Sequence, residues 1–282
     1  MRGMKMADKA DASDFLGRFR EIVSDPLNLL IQRHPLAGTV ENGNVVLHNG
    51  NRVPVAGAGA YYNNFSDILV INRGVHEPLE EFVFQTVLAR LPERPVMLEL
   101  GAYWCHYSMW CLTARPEGRT FLVEPDGERL ASGEENFLRN GFSGQFERGF
   151  VGPGQFEVDV FMAREGLPKL DILHCDIQGA ELDMINGAGE TLSAHKADYV
   201  FVSTHSQKLH RQVTEAMLAH GYRVEASADF DHETTSFDGF ILAVAPSIAQ
   251  VFHNFRFLSR IEITQTSPDE ILGRLVACSE NF

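Results

Sequence analysis

The chain predicts an α/β fold: a mostly parallel sheet with helices on both faces, ending in an antiparallel pair. Three observations predict it. Short apolar runs alternate with helical segments from Val96 to Ala219, the rhythm of strand–helix–strand units. The last two apolar runs are separated instead by a polar stretch with no apolar stripe. It lacks the packing helix that usually carries a parallel crossover. The composition, 44% apolar and 22% charged over 282 residues, fits a packed globular chain and is too apolar for disorder.

The elements follow in order. Phe15, Phe19, Ile22 and Val23 recur at helical spacing, so residues 13–33 predict one or two helices before Pro35. Val45-Val46-Leu47 and Val53-Pro54-Val55 predict a hairpin, with Asn49-Gly50 supplying the positive φ of a type I′ turn. Gly57, Gly59, Tyr61, Tyr62, Asn63 and Asn64 form a loop rich in aromatics and amides, either plain surface or a lid over a ligand. Residues 77–91 predict an amphipathic helix. Pro78 suits an early position, Glu77, Glu80 and Glu81 suit the positive end of the dipole, and Phe82, Phe84 and Leu88 are apolar.

Strands are then predicted at 96–100, 120–123, 146–151, 170–175 and 199–202, with helices at 130–140, 180–192 and 207–219. Asn140-Gly141 is a favoured helix stop. Residues 222–226 and 240–244 predict the closing antiparallel strands. The tail holds an apolar patch, Val251, Phe252, Phe255, Phe257 and Leu258, and a helix over 268–276. It packs either on the core or on a second subunit, so a homo-oligomer stays open. Three parts are expected: an N-terminal extension over 1–75, a catalytic domain over 76–245, and the tail over 246–282.

With 24 Lys+Arg against 38 Asp+Glu, the net charge is −14. That disfavours a dedicated nucleic-acid binder, which needs clustered cations. The four cysteines, Cys105, Cys111, Cys175 and Cys278, form no C-x-x-C pair, and free thiols in a reducing compartment are expected. No signal-peptide core and no membrane-length apolar run are seen. A soluble, cytoplasmic protein without membrane contact is expected.

Ligands of such sheets bind at the carboxyl ends of the strands. The first strand-to-loop turn is Glu99-Leu100-Gly101-Ala102-Tyr103-Trp104-Cys105-His106. Only Gly101 matches the three glycines of a dinucleotide fingerprint, and no Walker loop occurs. This is nucleoside-binding geometry without a phosphate cradle. Glu99 can accept a hydrogen bond from a cationic amino group. Glu124 closes the second strand about 25 residues later, near the spacing of a ribose-binding acid. Adenosine with a cationic amino-acid tail is S-adenosylmethionine (SAM).

Glu99 to Ser108, Val123-Glu124-Pro125, Asn140-Gly141, Asp176-Ile177-Gln178-Gly179-Ala180-Glu181 and Ser203-Thr204-His205 resemble the FkbM-type family of class I SAM-dependent methyltransferases. The resemblance covers roughly residues 76–245. It implies a Rossmann-like, seven-stranded, mostly parallel sheet with the last strand antiparallel. It implies O-methylation of natural products, sugars or glycans. By position it places Glu99 and Gly101 in the loop on the methionine side of SAM, with Tyr103 and Ser108 near its carboxylate. Glu124 falls on the ribose, Phe150 and Val151 at adenine, and Asp176 beside the reacting methyl. Cys105 stands where the family usually has Gly, and Gln178 where Glu is common.

A hydroxyl acceptor benefits from a general base. Asp176 and His205 are the candidates, His205 either positioning or deprotonating the acceptor. His106 could line the acceptor pocket, His174 is expected to be packed, and His210 solvated. After the fifth strand stand Ser203, Thr204 and His205 rather than clustered carboxylates. Asp229, Asp231, His232, Glu233 and Asp238 lie in a hairpin loop and need not converge. No metal is therefore expected. The sequence predicts a SAM-dependent O-methyltransferase acting on a small-molecule or glycan hydroxyl, with the Tyr61–Tyr62 segment closing the acceptor pocket. The alternative, raised by Cys105, is a catalytically inactive binding protein on the same fold.

Overall fold

A computed structural model describes residues 9–61, 66–230, 234–253 and 257–279, with the backbone alone for residues 9–15. The chain opens with α1 (Lys9–Ser24) and a 3₁₀ turn (Pro26–Leu30). A small antiparallel meander follows: β1 (Val40–Glu41), β2 (Asn44–Val46) and β3 (Arg52–Pro54). The predicted hairpin is β2–β3, but its turn is not type I′. Among its residues only Gly50 has positive φ (92°), and Gly50 N donates to Leu47 O at 3.0 Å. That is a type I turn closed by a left-handed glycine. The two-residue turn with both φ positive lies one connection earlier, at Asn42 (50°) and Gly43 (74°) between β1 and β2.

Next come α2 (Ser66–Ile71) and α3 (Pro78–Leu88). Every residue of α3 is buried. The expected amphipathic helix is enclosed because the 3₁₀ turn and the tail cover the side turned away from the sheet. Leu27, Ile31, Phe82, Phe84, Val251, Phe252, Phe257 and Leu275 share one apolar cluster. The tail therefore packs on the core of its own chain; Phe255 lies outside the described residues.

The main sheet contains β4 (Val96–Leu100), β5 (Arg119–Glu124), β6 (Gln145–Arg148), β7 (Leu170–Cys175), β8 (Ala197–Thr204), β9 (Arg223–Ala228) and β10 (Gly239–Val244). Its order is β6-β5-β4-β7-β8-β10-β9, and β10 runs antiparallel to both neighbours. The direction of strand addition reverses between β4 and β7, which opens a crevice at their carboxyl ends. Alternate residues of β4 face opposite layers. Met97 joins the α3 side, with Tyr107, Trp110 and Cys111 of α4 (His106–Ala114). Leu98 and Leu100 join the side built by α6 (Val158–Glu165), α7 (Glu181–Asn186), α8 (Gly189–Ser193) and α9 (Gln207–Ala219). Phe137 of α5 (Gly127–Arg139) packs with the meander, Trp104 and Met109.

The predicted helix over 180–192 is two helices. Asp159 accepts the backbone N–H of both Glu190 and Thr191 at 2.8 Å, capping a new helix start where Gly187 interrupts the first. The tail adds α10 (Arg260–Gln265) and α11 (Pro268–Ser279). Among the described residues no helix is long and apolar enough to cross a membrane.

Candidate active site

The carboxyl ends of β4, β5, β6 and β7 border a cleft of about 500 Å³. Six of the residues predicted from sequence line it: Gly101, Tyr103, Glu124, Phe150, Val151 and Asp176. Glu124 Oε2 accepts Tyr103 N–H and Oε1 accepts Asp126 N–H, each at 3.1 Å. Each carboxylate oxygen keeps lone-pair capacity for a ligand hydroxyl. Glu99 and Ser108 are not among the lining residues. Glu99 Oε2 accepts Ser108 N–H at 3.1 Å, and burial pushes its carboxyl above the usual range. Glu99 thus fastens the start of α4 to the end of β4.

Gly101 is required by a close approach. Its φ is +79°, and a Cβ there would stand 1.7 Å from the backbone O of Asp176. This contact brings the two strand ends together across the crevice. Tyr103 (φ 42°) and Cys105 (φ 68°) are left-handed as well. The loop therefore holds the conformation of a glycine-rich turn with one glycine. The Cys105 thiol is buried and faces α5: a Cβ added at Gly133 would lie 2.4 Å from Sγ. Cys105 does not line the cleft. Arg129 and Gln178 also line it, and Arg129 was not identified from sequence. Its guanidinium covers the Tyr103 ring at 4.8 Å. The available signal was its place in the first turn after the Asp126 cap.

Beyond the cleft, β8 delivers His205 to Asp176. His205 Nε2 lies 3.2 Å from Asp176 Oδ1 and 2.9 Å from Gln178 Nε2, while Nδ1 lies 2.8 Å from Glu181 Oε1. Burial alone would lower the pKa of this imidazole. Its bonds to Asp176 and Glu181, with Asp238 nearby, outweigh burial and raise it to about 10. His205 is therefore an imidazolium at neutral pH. Glu181, fully buried, also accepts Gly179 N–H at 3.0 Å. Neither Glu181 nor Asp238 was assigned a site role from sequence. Asp238 pairs with Arg18 at 2.8 Å, and Arg18 pairs with Glu77 at 2.6 Å, so the N-terminal helix reaches this edge.

The other histidines are placed differently from one another. His174 is packed, as expected, with Nε2 2.8 Å from Glu80 Oε1. His210 is buried rather than solvated, its ring between Thr204 Oγ1 (3.0 Å) and Ser227 Oγ (2.9 Å). His106 lies away from the cleft, in a buried group with His48, His76 and Glu81. Burial pushes His48 down to about 3 and lowers His106. Tyr61 is buried against His76 and Trp104, so its ring is core rather than lid; Tyr62, Asn63 and Asn64 lie outside the described residues, as do Asp231, His232 and Glu233. The loop before Tyr61 still meets the cleft wall, where Tyr103 OH donates to Ala60 O at 3.1 Å.

A sheet of this order, with an acid closing β5 and a tight glycine turn after β4, defines the class I methyltransferase architecture. The chain belongs to the FkbM methyltransferase family: the methyltransferase FkbM domain matches residues 65–224, more than half of it. A search of curated proteins gives no match. Similar solved structures include a precorrin-6y C5,15-methyltransferase from Geobacter metallireducens, at 17% identity and TM-score 0.44, covering 58% of this chain and 87% of that one. A putative O-methyltransferase from Klebsiella pneumoniae aligns at 16% identity and TM-score 0.41, covering 59% and 80%. Aeropyrum pernix fibrillarin in complex with SAM aligns at 14% identity and TM-score 0.41, covering 57% and 74%.

Proposed function

We propose that this methyltransferase transfers a methyl group from SAM to a hydroxyl of a small natural product, sugar or glycan. The observation that carries the reading is the convergence of Gly101, Glu124 and Asp176 on one cleft, with His205 held against Asp176 at its rim. The residues present fit SAM. The tight Gly101–Asp176 approach shapes a turn for the amino-acid end, Glu124 offers oxygens to the ribose, and Phe150 and Val151 border the adenine end. Bound SAM supplies the methyl group as an activated sulfonium.

The protein's part is alignment and proton handling. Asp176 Oδ1 takes the contacts from His205 and Gln178, which leaves Oδ2 for the acceptor hydroxyl. That carboxylate would take the hydroxyl proton, while the acceptor oxygen would gain the methyl group as its bond to sulfur breaks and S-adenosylhomocysteine is left. His205, charged and braced by Glu181, is a positioning residue rather than the base. The N-terminal extension covers the acceptor side through the Arg18–Asp238 and Arg18–Glu77 pairs. A cytoplasmic setting is part of the same reading. The inactive-binder alternative rested on bulk at Cys105, and the thiol's direction toward Gly133 removes that support.

Isothermal titration with SAM and S-adenosylhomocysteine tests the cofactor. Binding at micromolar levels that is lost in Glu124→Ala is expected, and no heat with either ligand would refute the reading. Transfer of labelled methyl to a panel of hydroxyl, amine and carbon acceptors tests the acceptor class. Exclusive labelling of amines or carbon would overturn O-methylation.

A further inference from the structure

We propose that His48, Glu81 and His106 form a buried site for one divalent transition-metal ion of the zinc type. The site ties the N-terminal meander to the cofactor loop. His48 comes from the β2–β3 turn, Glu81 from the first turn of α3, and His106 from the first turn of α4. One ligand atom from each can be chosen so that all lie within 4.8 Å of one another, and all three residues are buried. His48 Nε2 is 3.6 Å from Glu81 Oε2, and His106 Nε2 is 3.4 Å from Glu81 Oε1. A tetrahedral ion with bonds of about 2.0–2.1 Å separates its ligands by about 3.3–3.4 Å. Each imidazole stands near that separation from its own oxygen of Glu81, so the carboxylate lies between the two rings, and both spacings are long for direct hydrogen bonds.

The hydrogen-bond inventory points the same way. Both ring nitrogens of His48, both of His106 and Glu81 Oε2 find no hydrogen-bond partner among the described residues. Buried polar atoms are rarely left so. Two imidazoles and one carboxylate make a donor set suited to zinc and unlike the all-oxygen shell of magnesium or calcium. His76 Nδ1 lies 2.6 Å from Glu81 Oε1 and its Nε2 lies 3.3 Å from Glu77. It occupies the place of an outer-shell residue that orients a ligating carboxylate.

The backbone is shaped for this meeting. Gly74 has φ +83°, and a Cβ there would stand 2.1 Å from His48 N, so only glycine lets the 74–76 segment pass the β2–β3 turn. Trp104, within the cofactor loop, stacks on His106 at 5.1 Å. The ion would therefore brace the wall of the cleft from behind, without contact with the acceptor. The expectation of no metal rests on the lack of a C-x-x-C pair and on the acids after the fifth strand. Ligands at 48, 81 and 106 come from three separate elements that sequence spacing does not join.

The test uses the full chain and zinc(II) itself. Protein expressed with zinc supplementation should carry about one zinc per chain by elemental analysis. Removal with a chelator should lower Tm by several degrees, and added zinc should restore it. Cobalt(II) should give the visible absorption of a tetrahedral site. His48→Gln and His106→Gln should each abolish that band and cut zinc affinity at least tenfold. His76→Phe, which keeps all three ligands, should weaken zinc by about 10- to 100-fold. If the variants fail to fold, the wild-type chelation and reloading cycle decides alone. Zinc below a tenth of an equivalent, with the same Tm in chelated and zinc-treated protein, overturns the proposal. So does zinc that binds with unchanged affinity in both histidine variants.

Discussion

Cys105 and Gly133 offer a double-mutant test of how the cofactor loop is held. Replacing Cys105 by Gly relieves a left-handed residue (φ 68°, ψ 34°), which returns about 1–2 kcal/mol. It also removes a buried side chain, a loss of about 1 kcal/mol, and adds unfolded-state freedom of about 0.5–1 kcal/mol. These nearly cancel, so Tm should move by no more than about 3 °C. Gly133→Ala alone should gain up to about 1 kcal/mol of helix propensity. Its Cβ, however, would lie 2.4 Å from Cys105 Sγ and 3.1 Å from Tyr103 O, and overpacking costs about 1–3 kcal/mol. In the Cys105→Gly background the sulfur contact is gone and Gly133→Ala should stabilise. The coupling should therefore be about 2 kcal/mol, read from thermal or urea unfolding of the four proteins. Affinity for S-adenosylhomocysteine should change less than about threefold in Cys105→Gly, since the thiol faces α5. Additive stabilities, or a tenfold gain in cofactor affinity from Cys105→Gly, would refute this account of the loop.

Three further outcomes follow from the site. Gly101→Ala must push the ends of β4 and β7 apart, so it should lose cofactor binding in titration and at least about 3 kcal/mol of stability; retention of both would show that the approach to Asp176 is dispensable. Because the His205 pKa rises from an ordinary 6.5 to about 10 in the folded chain, its contribution to stability is full below pH 6.5 and is lost as pH rises through about 10. The corresponding fall in Tm between pH 7 and 10 should shrink in His205→Gln. Glu181→Gln should lower kcat more than it raises KM, since Glu181 braces His205 without lining the cleft; an effect on KM alone would place it in substrate binding.

Much of the fold was legible because its signals are local. Apolar runs such as Leu170 to Cys175 became fully buried central strands, and the polar stretch before Gly239 marked the antiparallel return. Glu124 and Gly101 were found because strand ends recur at a fixed spacing. What escaped depends on distant encounters. Both Asn-Gly pairs of the N-terminal meander, at 42–43 and 49–50, offered a left-handed glycine, but the second serves a longer turn that carries buried Leu47 and His48 inward. The charged first turn of α3 looks like solvated dipole compensation, and nothing in residues 77–81 announces that the tail and the 3₁₀ turn will cover it. Arg18 meets Asp238 across 220 positions, a pairing no periodicity encodes.

The buried Glu80 and Glu81 on the first turn of α3, and the half-buried Glu77 at its N-cap, need separate compensation, because an unpaired buried charge costs several kcal/mol. Glu77 has Arg18 and the Tyr107 hydroxyl (2.9 Å), Glu81 has the histidine group, and Glu80 has His174 (2.8 Å) and Ser203 Oγ (3.0 Å). The Glu80 contacts lie on β7 and β8, each two residues before Asp176 and His205 respectively, so this acid fixes the register of the reaction edge from below. Glu80→Leu should therefore destabilise, and its cost should depend on pH. Burial favours a neutral His174, yet Glu80 holds its pKa above 6.5. Without Glu80 the folded pKa drops below the unfolded value, and the variant loses stability as pH falls through 6.5. Near pH 8 the expected cost is about 1–3 kcal/mol, from the groups left without partners. At pH 5.5 it should be larger by about 1 kcal/mol, since the unfolded chain then binds a proton that the folded variant refuses. Urea unfolding at the two pH values measures this directly. A pH-independent difference would mean that Glu80 holds β7 and β8 by hydrogen bonding alone, with no charge on His174.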